Sequence, residues 1–201
     1  MKKSILIAIS LLTISTCVSA QSPVTKVREF GVNLSGTQFG IRYKGGNEST
    51  LFRVTLSSLL ANNNWYKTES GKSTVSNHGV GLNFGFEKRK SMSEKINLYI
   101  GSDILTSIVT GKNEFEPSNY STSSLTLSTG IGMVLGVNFS ITDRVSVSTE
   151  VVPSVRYSYS KTKNHSNLGD SESTNKILDY GLPTGGLNIT LSFNLNKKNQ
   201  E

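Results

Sequence analysis

Two sets of residues in this chain could do chemistry. The first is a base beside a hydroxyl: His165 precedes Ser166, and Ser76 lies two positions before His78. A nucleophilic serine needs such a histidine, and a carboxylate to orient it. Spacing suggests no carboxylate near either histidine, and neighbours such as His165 and Ser166 need not share a face. Both histidines therefore read as polar surface in or beside loops. The second set is charged residues at alternating positions within apolar segments: Arg42, Arg53, Glu87, Asp103, Glu150 and Arg156. Their charges balance, and charges removed from water have to be paired. An internal polar network with a structural role is expected, and no catalytic residue.

Metal and cofactor chemistry find little support. The chain holds one cysteine and two histidines, whereas zinc sites draw mainly on those two residue types. The cysteine, Cys17, falls in a leader-like start: Lys2 and Lys3, an apolar run from Ile5 to Ile14, then Val18-Ser19-Ala20. That is the form of a secretory signal peptide over residues 1–20, with one domain over 21–201. Lipidation at Cys17 is the alternative, although Thr16 stands where such motifs prefer Gly, Ala or Ser. The formal charge of +7 falls by two when Lys2 and Lys3 leave, and the remaining Lys and Arg form no stripe. A nucleic-acid partner is not expected.

The elements that must position the charged set are strands. In "LTLSTGIGMVLGVNFSI" (125–141) the odd positions are nearly all apolar, and the even ones are small and uncharged apart from Val134. Alternation of this kind is a β-strand between two different solvents. The pattern recurs over 30–34, 39–43, 52–60, 80–87, 96–104, 145–159 and 187–195, which makes eight strands. Pro153 sits within the seventh, where a bulge or bend is expected, and a register break is expected over 183–186. Short connections at 45–49, 88–95 and 142–144 contrast with polar stretches at 62–77, 111–124 and 161–176, which read as long loops. The first connection, 35–38, is short where a long loop would be expected.

The polar face is mostly Gly, Ser, Thr and Asn, with few of the Lys and Glu that bulk water attracts. Small residues suit the crowded inside of a narrow barrel. The apolar face from Ile131 to Ile141 is as long as the roughly 9–11 residues that a tilted strand needs to cross a membrane. Phe86, Phe139 and Phe193 at one end, with Tyr157 and Tyr159 at the other, fit interfacial girdles. The expected fold is all-β: an eight-stranded antiparallel up-and-down transmembrane β-barrel, greasy side to lipid. A monomer is favoured, because a closed barrel leaves no edge demanding a partner.

This pattern resembles the OmpA/OmpX-type small outer-membrane β-barrels, within the broad porin-like family of single-domain outer-membrane barrels. The most specific part is Thr184-x-Gly186-x-x-Ile189-x-Leu191-x-Phe193. It is similar to the C-terminal strand signal by which such chains reach the barrel assembly machinery. The tail from Asn194 to Glu201 departs from it, since many members stop at the aromatic residue. The resemblance implies the outer membrane of a Gram-negative-type bacterium, with outer-membrane lipid and lipopolysaccharide as surroundings. It does not choose an activity.

Three functions follow. The first is a non-enzymatic barrel whose long loops serve envelope integrity or surface contact. Trp65, Tyr66, Phe115 and Tyr120 are then either contact residues or rim packing. Lys67, Lys72, Lys112, Lys161 and Lys163 either meet lipopolysaccharide phosphates or are simply solvated. The second is a membrane-embedded lipid A-modifying enzyme using one of the histidines. The third is a secreted soluble barrel with an apolar ligand cavity.

Overall fold

The computed structural model describes residues 26–36, 38–68, 71–116, 120–167, 169–182 and 187–196, with backbone alone at 59–63, 68 and 71. The expected signal peptide and the break at 183–186 lie outside these. Ten strands run in chain order: β1 Lys26–Ser35, β2 Gln38–Asn47, β3 Thr50–Thr68, β4 Gly71–Ser91, β5 Ile96–Glu116, β6 Tyr120–Ser140, β7 Val145–Val151, β8 Ser154–Ser166, β9 Gly169–Gly181 and β10 Leu187–Asn194. All pairings are antiparallel.

The fold is inside out relative to a soluble protein. Among the described residues, thirteen polar or charged residues are buried against six hydrophobic ones. Phe30, Leu56, Phe84, Ile104, Ile131, Val155 and Ile189 all face outward and are exposed. A soluble ligand-binding barrel would have the opposite arrangement.

The described residues of the stretches read as long loops are strand, apart from the turn at Asn167. β3 and β4 pair out to Thr68↔Gly71, β5 and β6 to Phe115↔Tyr120, and β8 and β9 to Ser166↔Gly169. Ser, Thr and Asn side chains there bond across strands, as in Ser73 to Asn113 at 3.4 Å and Thr122 to Asn164 at 3.0 Å. A polar hairpin needs no apolar face when its backbone ladder is complete. At the other end the turns are short and locally capped. The Asn47 side chain accepts from the Thr50 amide at 2.7 Å, and the Thr142 hydroxyl accepts from the Val145 amide at 3.1 Å. These are the side-chain turns that Asn and Thr favour.

The seventh expected strand is split at Val152–Pro153 into β7 and β8, without a change of register. Leu135↔Val151 and Gly132↔Ser154 are three residues apart on both sides of the ladder. Pro153 has no amide to give to the ladder, but its carbonyl still accepts from Met133 at 2.9 Å. The shift falls on the return strand: Ser154 pairs with Gly181, while Val151 pairs with Leu187. Three residues on one side thus oppose six on the other; the eighth expected strand is β10, and β9 is a strand not expected, over part of the stretch read as a loop at 161–176 and the residues that follow it.

A clean eight-stranded ring is not what results. At the short-turn end the pairing returns to its start through β1 to β7 and β10. Toward the other end, β1 and β2 have already turned at Gly36, whose φ of 57° suits glycine. There β9 pairs with β8 alone, and β3 beyond Ser58 pairs with β4 alone, among the described residues. Among the described residues the wall is open between them.

Candidate functional site

The interior charges sit where the register makes room for them. Across the ladders Arg42 faces Gly31, Arg53 faces Gly85, Glu87 faces Gly101, Asp103 faces Gly85 and Gly132, and Glu150 faces Gly136. A long side chain opposite a residue with none can lie across the narrow lumen without steric conflict. Tyr99 also lies over Gly136, where an added Cβ would run into its ring.

Arg53 is the hub. Its guanidinium reaches Glu150 at 2.8 and 2.9 Å, Glu87 at 3.2 Å and Asp103 at 3.1 Å. The contact to Asp103 is an ion pair without hydrogen-bond alignment. Glu150 also takes Arg42 at 2.7 Å, the Tyr99 hydroxyl at 3.0 Å and the Asn188 amide at 3.4 Å. Arg42 extends the set through Thr55 at 3.0 Å and Thr190 at 3.1 Å.

Five of the six residues singled out by alternation therefore meet in one buried set. Arg156 does not: it is half-buried, opposite Gly130, and donates to the Ser154 hydroxyl at 3.3 Å. Lys44, Arg89, Glu29 and Tyr99 belong to the set and were missed. Lys44 lies 2.9 Å from Glu87 and 4.9 Å over the Tyr99 ring. Arg89 bridges Glu87 at 2.8 Å and holds Glu29 through two bonds of 2.7 and 2.8 Å. Four cations thus face four carboxylates. The signal was present: Lys44 continues the parity of Arg42, Glu29 that of Gly31, and Arg89 that of Glu87. Each lies just past the end of its apolar alternation. Chemically the set is structural in character: buried groups of opposite charge that each need the others as partners.

The other candidates lie on the outside. His165 is exposed, and its Nδ1 touches Asp170 Oδ1, a carboxylate partner supplied by the β8–β9 hairpin register. Ser166 is turned away and donates to the Gly169 carbonyl at 3.0 Å. His78 is exposed on β4, opposite Thr110. Phe115 and Tyr120 pack together, ring centroids 5.8 Å apart, whereas Trp65 is 74% exposed and Tyr66 is also exposed. Lys112 pairs with Glu114 at 2.5 Å and Lys161 with Glu172 at 2.7 Å, while Lys67 and Lys72 face each other across β3 and β4.

The sequence matches no protein-family model and no curated protein. Among solved structures, a major outer membrane protein from Thermus thermophilus superposes with a TM-score of 0.55 at 10% identity, over 87% of this chain and 100% of that one. This chain has an outer-membrane β-barrel fold. Two more such proteins match with lower superposition. Neisserial surface protein A has a TM-score of 0.37 at 16% identity, over 84% of this chain and 93% of its own. CarO of Acinetobacter baumannii has 0.34 at 12%, over 87% and 99%. At these identities the likeness is one of fold, so what this outer-membrane-type barrel does has to be argued from its own residues.

Proposed function

We propose that this protein is a non-enzymatic β-barrel of the outer membrane of a Gram-negative-type bacterium, with an eight-strand ring in the bilayer and a sealed lumen. Its extended hairpins project outward and serve envelope integrity or surface contact. The observation that carries this reading is the inversion of burial: charged residues paired inside, Phe, Leu and Ile outside. Lipid is the solvent in which that outside is stable. Lipid and lipopolysaccharide are then its surroundings, and the barrel assembly machinery handles it during biogenesis.

Strand length supports the projection. β4, β5 and β6 have 21 residues each. At about 3.3 Å per residue and a tilt near 45°, such a strand rises about 50 Å, against a hydrocarbon core of about 30 Å. The surplus lies in the polar hairpins that carry Trp65 and Tyr66. The test is cysteine labelling of intact cells with a membrane-impermeant maleimide. Trp65→Cys should label in intact cells and Asp143→Cys, in a short turn, only after lysis. Equal labelling of both in intact cells would sink the reading.

One observation favours a second reading, lipid A modification. Ser121 on β6 is the cross-strand partner of His165, which is in turn the partner of Asp170. A hydroxyl, a base and a carboxylate thus lie in one row on three adjacent strands, the order that an acyl-transfer site needs. Lipid A acylation that is unchanged in Ser121→Ala and His165→Ala strains would remove this reading.

A further inference from the structure

The open wall has two free edges. β9 lacks a partner on the side away from β8, and β3 lacks one beyond Ser58 on the side away from β4, among the described residues. The gap is where β1 and β2 would have continued had their hairpin run as far as the others. Along β9 the sequence is polar from Gly169 to Lys176 and becomes "ILDYG" over 177–181; Leu178 is 66% and Tyr180 84% exposed. Along β3 the order matches in the same physical direction, with Leu59-Leu60-Ala61 nearest the ring and then Asn62 to Thr68. Backbone amides and carbonyls left open at the apolar level cost several kcal/mol each in hydrocarbon, and lipid-exposed sheet edges do not occur there.

We propose that these edges pair between two copies of this chain, β9 of each with β3 of the other. The inference goes beyond the outer-membrane reading but rests on it, because lipid is what makes the open edges costly. Polarity and facing select this pairing. β3 runs toward the extended hairpins and β9 runs away from them, so two copies in the same orientation bring β3 and β9 together antiparallel. Continuing the sheet from β9 into a second β3 keeps the apolar face outward on both. Joining β9 to β9 would turn one copy's apolar face to the other's lumen. A two-fold axis along the membrane normal forms both seams at once and leaves neither edge open. The outward faces of the two β1–β2 hairpins, with Leu34 and Phe39 exposed, then meet near that axis.

The test is disulfide trapping in native membranes. Cys17 is the chain's single cysteine and lies in the segment expected to be removed. Trp65 and the even positions of β9 share the outward face, so the variants are Trp65→Cys with Thr174→Cys and Trp65→Cys with Lys176→Cys. Tyr157→Cys with Leu178→Cys, a cross-strand pair within the β8–β9 hairpin, reports that oxidation reaches this depth. The expected result is a reducible band of twice the chain mass from a seam pair, absent from each single variant. Two results would overturn the proposal. In one, the disulfide forms within a single chain, which would mean that the wall closes on itself. In the other, the hairpin pair oxidises and the proteins still show heat-dependent gel mobility, yet no seam pair cross-links. Loss of heat-dependent mobility from the unaltered protein would instead bring down the outer-membrane reading, and this inference with it.

Discussion

Arg53 sits among Glu87, Asp103 and Glu150, all buried, so removing it leaves three carboxylates short of a cation. Breaking a buried ion pair from one side costs about 3–5 kcal/mol. Arg53→Met should lower the stability of the folded barrel by about that much, read as a lower urea midpoint for loss of the folded gel band. Arg156→Met should change it by less than about 1 kcal/mol, because Arg156 is half-buried and outside the set. Gly136 is the complementary case. Gly136→Val places its side chain against the Tyr99 ring, which is itself buried. Overpacking of this kind costs about 1–3 kcal/mol, and the displaced Tyr99 hydroxyl also leaves Glu150. Equal urea midpoints for Gly136→Val and the parent would show that the lumen has slack there. Alternation alone made the inward charges readable from sequence. Their pairing partners were not readable, because register between distant strands decides that Arg53 meets Glu150.

Among the elements, the extended hairpins diverge most from what the residues suggested. "NNNWYKTESGKSTVSN" has no apolar stripe, and patterning had nothing to detect. Over its described residues its order comes from the β3–β4 ladder, which β4 continues to β5. Backbone amides over Ser73–Asn77, where β4 is paired on both sides, should therefore exchange with solvent slowly, at rates nearer those of the ring than of the turn at 92–95. Fast exchange across the whole of 62–77 would restore a mobile loop. The split at Pro153 was readable, since a proline in a strand announces itself. Its outcome, an interruption with no shift, depended on β6 keeping step on both sides. The three-residue slip between β9 and β10 had only a phase change in the apolar residues near Pro183 to mark it.

For the whole molecule, the outward apolar face was legible, because small residues opposite large apolar ones leave few other assignments. The open wall was not. It follows from one hairpin turning at Gly36 while the others continue, and the short connection at 35–38 was visible without its consequence for β3 and β9. The proposed seal of paired charges also predicts electrical behaviour. The protein in planar bilayers should pass no steady current, and a large sustained conductance would mean that the Arg53 set does not span the lumen. The central claim is that this chain folds as a barrel in lipid. The most direct measurement is gel mobility of the detergent-extracted membrane fraction in SDS, unheated against boiled. A barrel predicts that the unheated protein migrates as a compact folded species and shifts on boiling. Identical mobility, with the protein recovered in the aqueous fraction, would contradict it.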